Sequence, residues 1–202
     1  VHLLRHHDGL AEVFSHRLVH DATGRPGLLI RRFDRYVDEH GAAHRLAVED
    51  ACQLNNRYPA DKYNLTAEQS AHVILRQVFS PRLAAPEIFR QFVYAWLTGN
   101  GDLHAKNISL LKTPKKGWQV APVYDVPSSW VYFKDDMALS INSRVKNLKK
   151  CDWDAFAYHA GIPENLQRSL HKTAIKAASS VSWDRLPFTD SQRYGVEREL
   201  SH

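Results

Sequence analysis

Asp102 and Asn107 stand five residues apart in "GDLHAKN", and Asp125 follows eighteen residues after Asn107 in "VYDV". Phosphoryl transfer from a nucleotide asks for such a set. One carboxylate orients the attacking hydroxyl and takes its proton, while a second carboxylate and an amide carbonyl hold Mg2+ against the phosphates. Mg2+ prefers hard oxygen donors and keeps several waters, so two protein ligands suffice. On this reading Asp102 is the catalytic base, and Asn107 and Asp125 are the metal ligands. The loop that carries the first two also holds Asn100, His104 and Lys106, between Gly99 and the apolar run "ISLL". A solvent-facing turn needs fewer polar groups than that.

The flanking elements can bring these residues together. "APEIFRQFVYAWLTG" places Phe89, Phe92, Val93, Trp96 and Leu97 on one helical stripe, with Pro86 suited to the first turn and Gly99 just past the end. That helix delivers the chain into the polar loop. "ISLLK", the basic turn "TPKKG" and "WQVAPVYDV" then read as a hairpin. Antiparallel pairing would set Asn107, which leads into one strand, beside Asp125, which leaves the other.

Upstream, "AEVFSHRLVH" alternates apolar and polar residues, "DATGRPG" supplies a turn and "LLIRRF" follows, a hairpin of 12–20 with 28–33. A second turn is expected at Asp38–Gly41, and a short helix from about Val48. Thr66 with Gln69 offers a capping box for a helix running to about Phe79. From Cys151 onward the pattern is helical, with a last helix near 189–200. Trp153 and Phe156 fall at helical spacing and read as core.

Composition narrows the class. Hydrophobic residues at 44% with 24% charged describe a globular chain, and 202 residues suffice for a sizeable core. No apolar run reaches the ~20 residues that cross a bilayer, so no membrane partner is expected and a cytoplasmic setting is. Cys52 and Cys151 lie far apart in no metal-ligand spacing and read as reduced thiols. The net charge of +5 is spread along the chain, which alone does not indicate DNA binding. The run holding Lys146, Lys149 and Lys150 is the place where phosphate contact could occur.

The D-x-x-x-x-N spacing is that of the protein-kinase catalytic loop, and "YDV" stands where kinases carry a metal-binding Asp-Phe-Gly. The glycine after that aspartate is missing, against a eukaryotic-type kinase. The chain resembles the HipA family of bacterial toxin kinases more fully, in "RRFDRY", "EDACQLNNRYPADKY", "NGDLHAKNISLL" and "VAPVYDVPSSW" followed by "MALSI". The bare "GDLH-x-x-N" is shared with aminoglycoside and choline kinases, whereas these motifs recur in order from about Leu28 to Ile141.

The resemblance implies an α+β, protein-kinase-like fold. Residues 1–36 would form an N-lobe-remnant hairpin and hinge, and 37–202 a mostly helical C-lobe. It implies that His104, Lys106 and Tyr124 lie near the phosphates of ATP, together with Asn107 and Asp125 on Mg2+. Arg31, Arg32 and Phe33 would be the hinge whose backbone meets adenine. The family has an acidic residue where Arg31 sits, a difference that backbone hydrogen bonds do not feel. The implied substrate is a protein of the translation machinery, such as an aminoacyl-tRNA synthetase. A small DNA-binding, HipB-like antitoxin is the implied partner, with DNA reached only through it.

A kinase also needs a lysine on an N-lobe strand and a loop covering the phosphates. "VHLLRHHDGL" offers neither, so the isolated chain is expected not to phosphorylate anything, while a full-length parent would. Two other classes stay open: a small-molecule kinase, and a non-catalytic module kept for antitoxin or DNA contact.

Overall fold

The computed structural model describes residues 16–133, 136–180 and 189–190, so the helix expected near 189–200 lies almost wholly outside the described residues. The described chain has three small antiparallel sheets and a helical body that holds the core. The order is β1 (His16–His20), β2 (Pro26–Ile30), β3 (Arg35–Val37), β4 (Ala43–Arg45), β5 (Val48–Asp50), α1 (Ala51–Leu54) and α2 (Ala67–Leu75). It continues with α3 (Pro81–Leu97), β6 (Ser109–Thr113), β7 (Gly117–Val120), α4 (Trp130–Phe133), α5 (Lys150–His159) and α6 (Glu164–Ser179). Single 3-10 turns lie at Pro59–Asp61 and Ala105–Asn107.

The first hairpin, expected as 12–20 with 28–33, forms among the described residues, and 12–15 lie outside them. β1 pairs with β2 from His16↔Ile30 to His20↔Pro26. Its turn is closed by the Asp21 carboxylate, which accepts from the Thr23 hydroxyl and from the backbone N–H groups of Arg25 and Thr23. Those bonds, the Thr23 hydroxyl first, hold the Asp21 carboxyl below the usual carboxylate range. The turn at Asp38–Gly41 is present, and it closes a hairpin of its own, β3 with β4. That hairpin runs across the boundary drawn at residue 36.

Val48–Asp50 is a strand where a helix was expected. It pairs antiparallel with β6, Val48 opposite Leu111 and Asp50 opposite Ser109, and so completes a sheet in the order β5-β6-β7. Long-range pairing overrides the local helical pattern. The helix begins only at Ala51, where Asp50 and Gln53 form a capping box.

The capping box at Thr66 and Gln69 is formed, but α2 stops at Leu75, before Phe79. Phe79 instead donates its backbone N–H to the carbonyl of Trp118, at 3.3 Å. Next, α3 starts at Pro81, five residues earlier than the stripe implies, with Pro81 taking the first-turn place given to Pro86. Pro86 therefore sits inside the helix, where it has no N–H to offer the preceding turn. Phe89 and Phe92 are fully buried as expected; both rings meet Phe156, at 5.8 and 5.2 Å, and Trp153 lies edge-on to Phe89 at 6.2 Å.

Both thiols are free, Cys52 buried and Cys151 exposed. No helix among the described residues is long and apolar enough to cross a membrane. Lys146 and Lys150 are engaged by Asp136 and Asp154, at 3.8 and 2.7 Å, so the basic run is not an unpaired cationic patch.

Gly99 ends α3 with φ +65°, and a Cβ there would lie 2.8 Å from Cβ of Trp130. Gly117 has φ +64° with open space around it. Gly117→Ala should therefore cost only the left-handed penalty of about 1–2 kcal/mol. Gly99→Ala should cost clearly more in urea denaturation; equal losses for the two would show that the Trp130 contact gives way freely.

Candidate active site

The polar loop is held from both ends before any of its side chains faces outward. At the end of α3, Gly99 N–H donates to Trp96 O at 3.2 Å and Asn100 N–H to Ala95 O at 2.8 Å, the paired bonds of a Schellman ending. Asn100 is buried, and its amide oxygen accepts from the backbone N–H of Asp102 at 3.0 Å. From the far side, Ser129 Oγ accepts from Gly101 N–H at 2.8 Å, and Ser128 Oγ donates to Thr98 O at 2.9 Å. Trp130 N–H donates to Gly99 O at 3.0 Å. Asn100, Ser128 and Ser129 were given no role from sequence. The serines lay in a motif already singled out, "VPSSW", and the signal was two hydroxyls beside a loop full of backbone groups.

Asn107 and Asp125 meet as the hairpin topology predicts. Asn107 Nδ2 donates to Asp125 Oδ2 at 3.2 Å and to the backbone oxygen of Asp102 at 3.1 Å. Both amide hydrogens are thus committed to protein, and among the described residues nothing donates to the amide oxygen. A hard cation wants such an acceptor next to a carboxylate. Asp125 is exposed and sits at φ +52°, an unusual conformation for a non-glycine residue. No group of three or more His, Cys, Asp or Glu side chains gathers among the described residues in a way that could hold a metal. A cation here would rest on Asp125, the Asn107 carbonyl, water and phosphate oxygens, a set that suits Mg2+.

Asp102 is half-buried, and one of its oxygens accepts from the Tyr63 hydroxyl at 2.9 Å. Lys62 Nζ lies 2.9 Å from His104 Nε2. An ammonium can only donate, so Nε2 accepts and the ring proton sits on Nδ1. That nitrogen is buried without a partner. Burial first, then the Lys62 charge, push His104 below its ordinary value, while Asp102 and Asp125 pull weakly the other way. The Tyr63 ring meets His104 edge-on at 5.3 Å and lies under the Lys62 ammonium at 4.8 Å. Lys62 and Tyr63 were also overlooked; they stand in "PADKY", forty residues upstream of the loop they serve.

Two residues expected near phosphates have other engagements. Lys106 Nζ is paired with Asp50 Oδ2 at 3.0 Å, the carboxylate that also caps α1. Tyr124 donates its hydroxyl to Lys106 O at 2.6 Å, so the 2.6 Å bond with Ser109 Oγ must have the serine as donor. Burial pushes the Tyr124 phenol up to about 12. Its ring packs against Phe33, with centroids 5.5 Å apart. Arg32 is held by Asp34 at 2.6 Å. Arg31, Arg32 and Phe33 line a cavity that none of Asp102, Asn107 and Asp125 lines.

The family of HipA-like C-terminal domains matches residues 4–181. Two proteins of Sinorhizobium fredii, both named as candidate kinases, are 33% identical over 150 residues and 31% over 148 residues. The alignments cover 70% and 73% of this chain and 35% of each relative. The serine/threonine-protein kinase toxin HipA of Shewanella oneidensis is 27% identical over 158 residues, 69% of this chain and 36% of the toxin. The chain thus spans about a third of the length of these curated relatives.

Among solved structures, the Shewanella oneidensis complex of HipA, HipB and operator DNA contains a chain that superposes with a TM-score of 0.75 at 21% identity. That match covers 95% of this chain and 50% of the other. The proinflammatory kinase CtkA of Helicobacter pylori gives 0.54 at 15% identity, covering 95% and 72%. These likenesses are of fold, and they make the α+β, kinase-like architecture expected from sequence the observed one.

His104 should titrate below 6.5 in histidine ring NMR, and Lys62→Met should raise the value without restoring it, because burial is the larger cause. The folded value lies below the unfolded one, so the unfolded chain binds the proton first. The stability from neutral His104 is complete above 6.5 and is lost as pH falls from there through the folded value. A His104 signal titrating at or above 6.5 would contradict the assigned tautomer and its Lys62 bond.

Proposed function

Because the chain belongs to the HipA-like C-terminal domain family, a family of kinases and kinase toxins, we propose that it is the C-lobe of an ATP-dependent serine/threonine protein kinase. The observation that carries this reading is the Asn107 amide. Its two donated bonds, to Asp102 O and Asp125 Oδ2, turn its carbonyl oxygen into the free acceptor beside a carboxylate. Asn107 and Asp125 would hold Mg2+, which when bound neutralises charge on the phosphates. Asp102 keeps one oxygen for the substrate hydroxyl and its proton, while Tyr63 occupies the other. Neutral His104 and the Lys106–Asp50 pair position the loop. The hinge backbone at Arg31–Phe33 would face adenine, kept in place by Phe33 on Tyr124.

Residues 1–36 act on this reading as the hairpin and hinge of an N-lobe, with the C-lobe at 37–202. The half- to two-thirds-exposed Leu18, Leu28, Leu29 and Ile30 of the β1–β2 hairpin suit a surface that further N-lobe structure covers. The first lysine of the chain is Lys62, so no strand of the first two hairpins carries a phosphate-binding lysine. The isolated chain is therefore inactive, and the full-length protein is the enzyme. Its substrate would be a protein of the translation machinery, such as an aminoacyl-tRNA synthetase. A HipB-like antitoxin would bind it and connect it to DNA, as supported by the HipA relative solved with HipB and operator DNA.

Phosphate transfer from labelled ATP, assayed on the full-length protein, tests the reading. Asp102→Asn should lower transfer by about 10²–10⁴-fold while nucleotide binding persists. Asp125→Asn should instead abolish the Mg2+ dependence of ATP binding, measured by calorimetry. Undiminished transfer by the Asp102 variant would remove the kinase assignment, and turnover by the 202-residue chain alone would remove the claim that it is inactive.

A further inference from the structure

A cavity of about 1170 Å³ opens between the hinge, the β6–β7 turn and the junction of α2 with α3. It exceeds the ~300–1,000 Å³ of a small-molecule pocket. Its lining is asymmetric in charge, with Arg31, Arg32, Arg35, Lys115 and Lys116 against the single carboxylate of Glu87. Asp34 pairs with Arg32 and Arg35, each at 2.6 Å. Arg31, Lys115 and Lys116 take part in no ion pair among the described residues.

The surface between these cations is apolar and open. Phe79 is 91% exposed and Leu83 73%, and both line the cavity together with Trp118. Exposed singly, such residues need no explanation; gathered in a concave site with a cationic rim they mark an interaction surface. A third feature points to a ligand with a peptide backbone. Gln91 also lines the cavity, is 7% exposed, and its Oε1 has no hydrogen-bond partner. A buried amide acceptor without a donor is costly unless something arrives to satisfy it.

We propose that this groove docks an acidic, leucine- or aromatic-bearing peptide segment of a protein partner. Carboxylates of the segment meet Arg31, Lys115 and Lys116, its apolar side chains cover Phe79, Leu83 and Trp118, and a backbone N–H donates to Gln91. Nucleic acid fits less well. Proteins that bind duplex by its phosphates make about 6–10 such contacts, and three unpaired cations around an apolar surface do not supply them. The groove shares Arg31, Arg32 and Phe33 with the hinge of the nucleotide reading but none of Asp102, Asn107 and Asp125, so peptide docking and phosphate transfer fail separately when tested.

The test is fluorescence anisotropy on the 202-residue chain with a short fluorescein-labelled peptide of alternating glutamate and leucine. Its glutamine-for-glutamate counterpart and an oligothymidylate of matched charge serve as comparison probes. The acidic peptide should bind best, quench or shift Trp118 emission, and lose about tenfold in affinity when Lys115→Glu is combined with Lys116→Glu. Far-UV circular dichroism verifies that the variant is folded, and the glutamine peptide tests charge without any variant. Equal binding of the two peptides, an unchanged affinity after the double reversal, or tighter binding of the oligothymidylate would each overturn the proposal.

Discussion

One primary amide organises the candidate site. Asn107 spends both of its N–H groups on protein, one on the main chain at Asp102 and one on the carboxylate of Asp125. The two acceptors come from segments more than twenty residues apart, so the amide is the joint between the polar loop and the segment that leaves β7. Its orientation follows from that. With both donors satisfied, the side of the amide that remains is the carbonyl, and it stands where Asp125 already concentrates negative charge. A chain that placed Asp at 107 would lose both donors and put two like charges in contact; a leucine would leave Asp125 unsupported at a positive φ.

The elements around this joint explain how a buried amide is held against an exposed carboxylate. The Schellman bonds at Gly99 and Asn100 hold the start of the loop, and Ser128, Ser129 and Trp130 hold it from the other side. Tyr124 ties the exit of β7 to the carbonyl of Lys106, while Lys106 reaches across to Asp50 at the head of α1. Main-chain bonds at the two ends and side-chain bonds between them thus satisfy the loop's polar groups without regular secondary structure. Lys62 and His104 extend the pattern. Burial first and the Lys62 ammonium next favour the neutral ring, and the Lys62 bond assigns its tautomer.

Much of this was legible in the sequence. The spacing of Asp102, Asn107 and Asp125, with a hairpin between the last two, predicted a meeting that the Asn107–Asp125 bond realises. Capping chemistry placed the start of α2 at Thr66, and glycine placed the end of α3 at Gly99. What sequence missed has a common cause, which is partners distant in the chain. Val48–Asp50 looked helical because its local pattern continues into α1, and only β6 makes it a strand. The contacts of Lys106 with Asp50 and of Tyr124 with Ser109, residues that the resemblance places near the phosphates, join segments that no local pattern connects. Tyr63 and Lys62 could not be read at all, since nothing local says that their polar ends meet a loop forty residues on.

The connection between β2 and β3 and the polar loop are not independent parts. Phe33 packs on Tyr124 beside Tyr94 and Val123, and Tyr124 is the residue whose hydroxyl holds the Lys106 carbonyl. Displacing the Phe33 ring therefore acts on the Tyr124 ring first and on the Lys106 carbonyl second, in the peptide that joins Lys106 to Asn107. The same stretch supplies Arg31, Arg32 and Arg35 to the basic groove. A segment seated in that groove would press on the connection between β2 and β3 that carries Phe33, and so on its packing against Tyr124. The two surfaces share one short stretch of chain, Arg31 to Arg35, stiffened at its centre by Asp34 holding a guanidinium on either side.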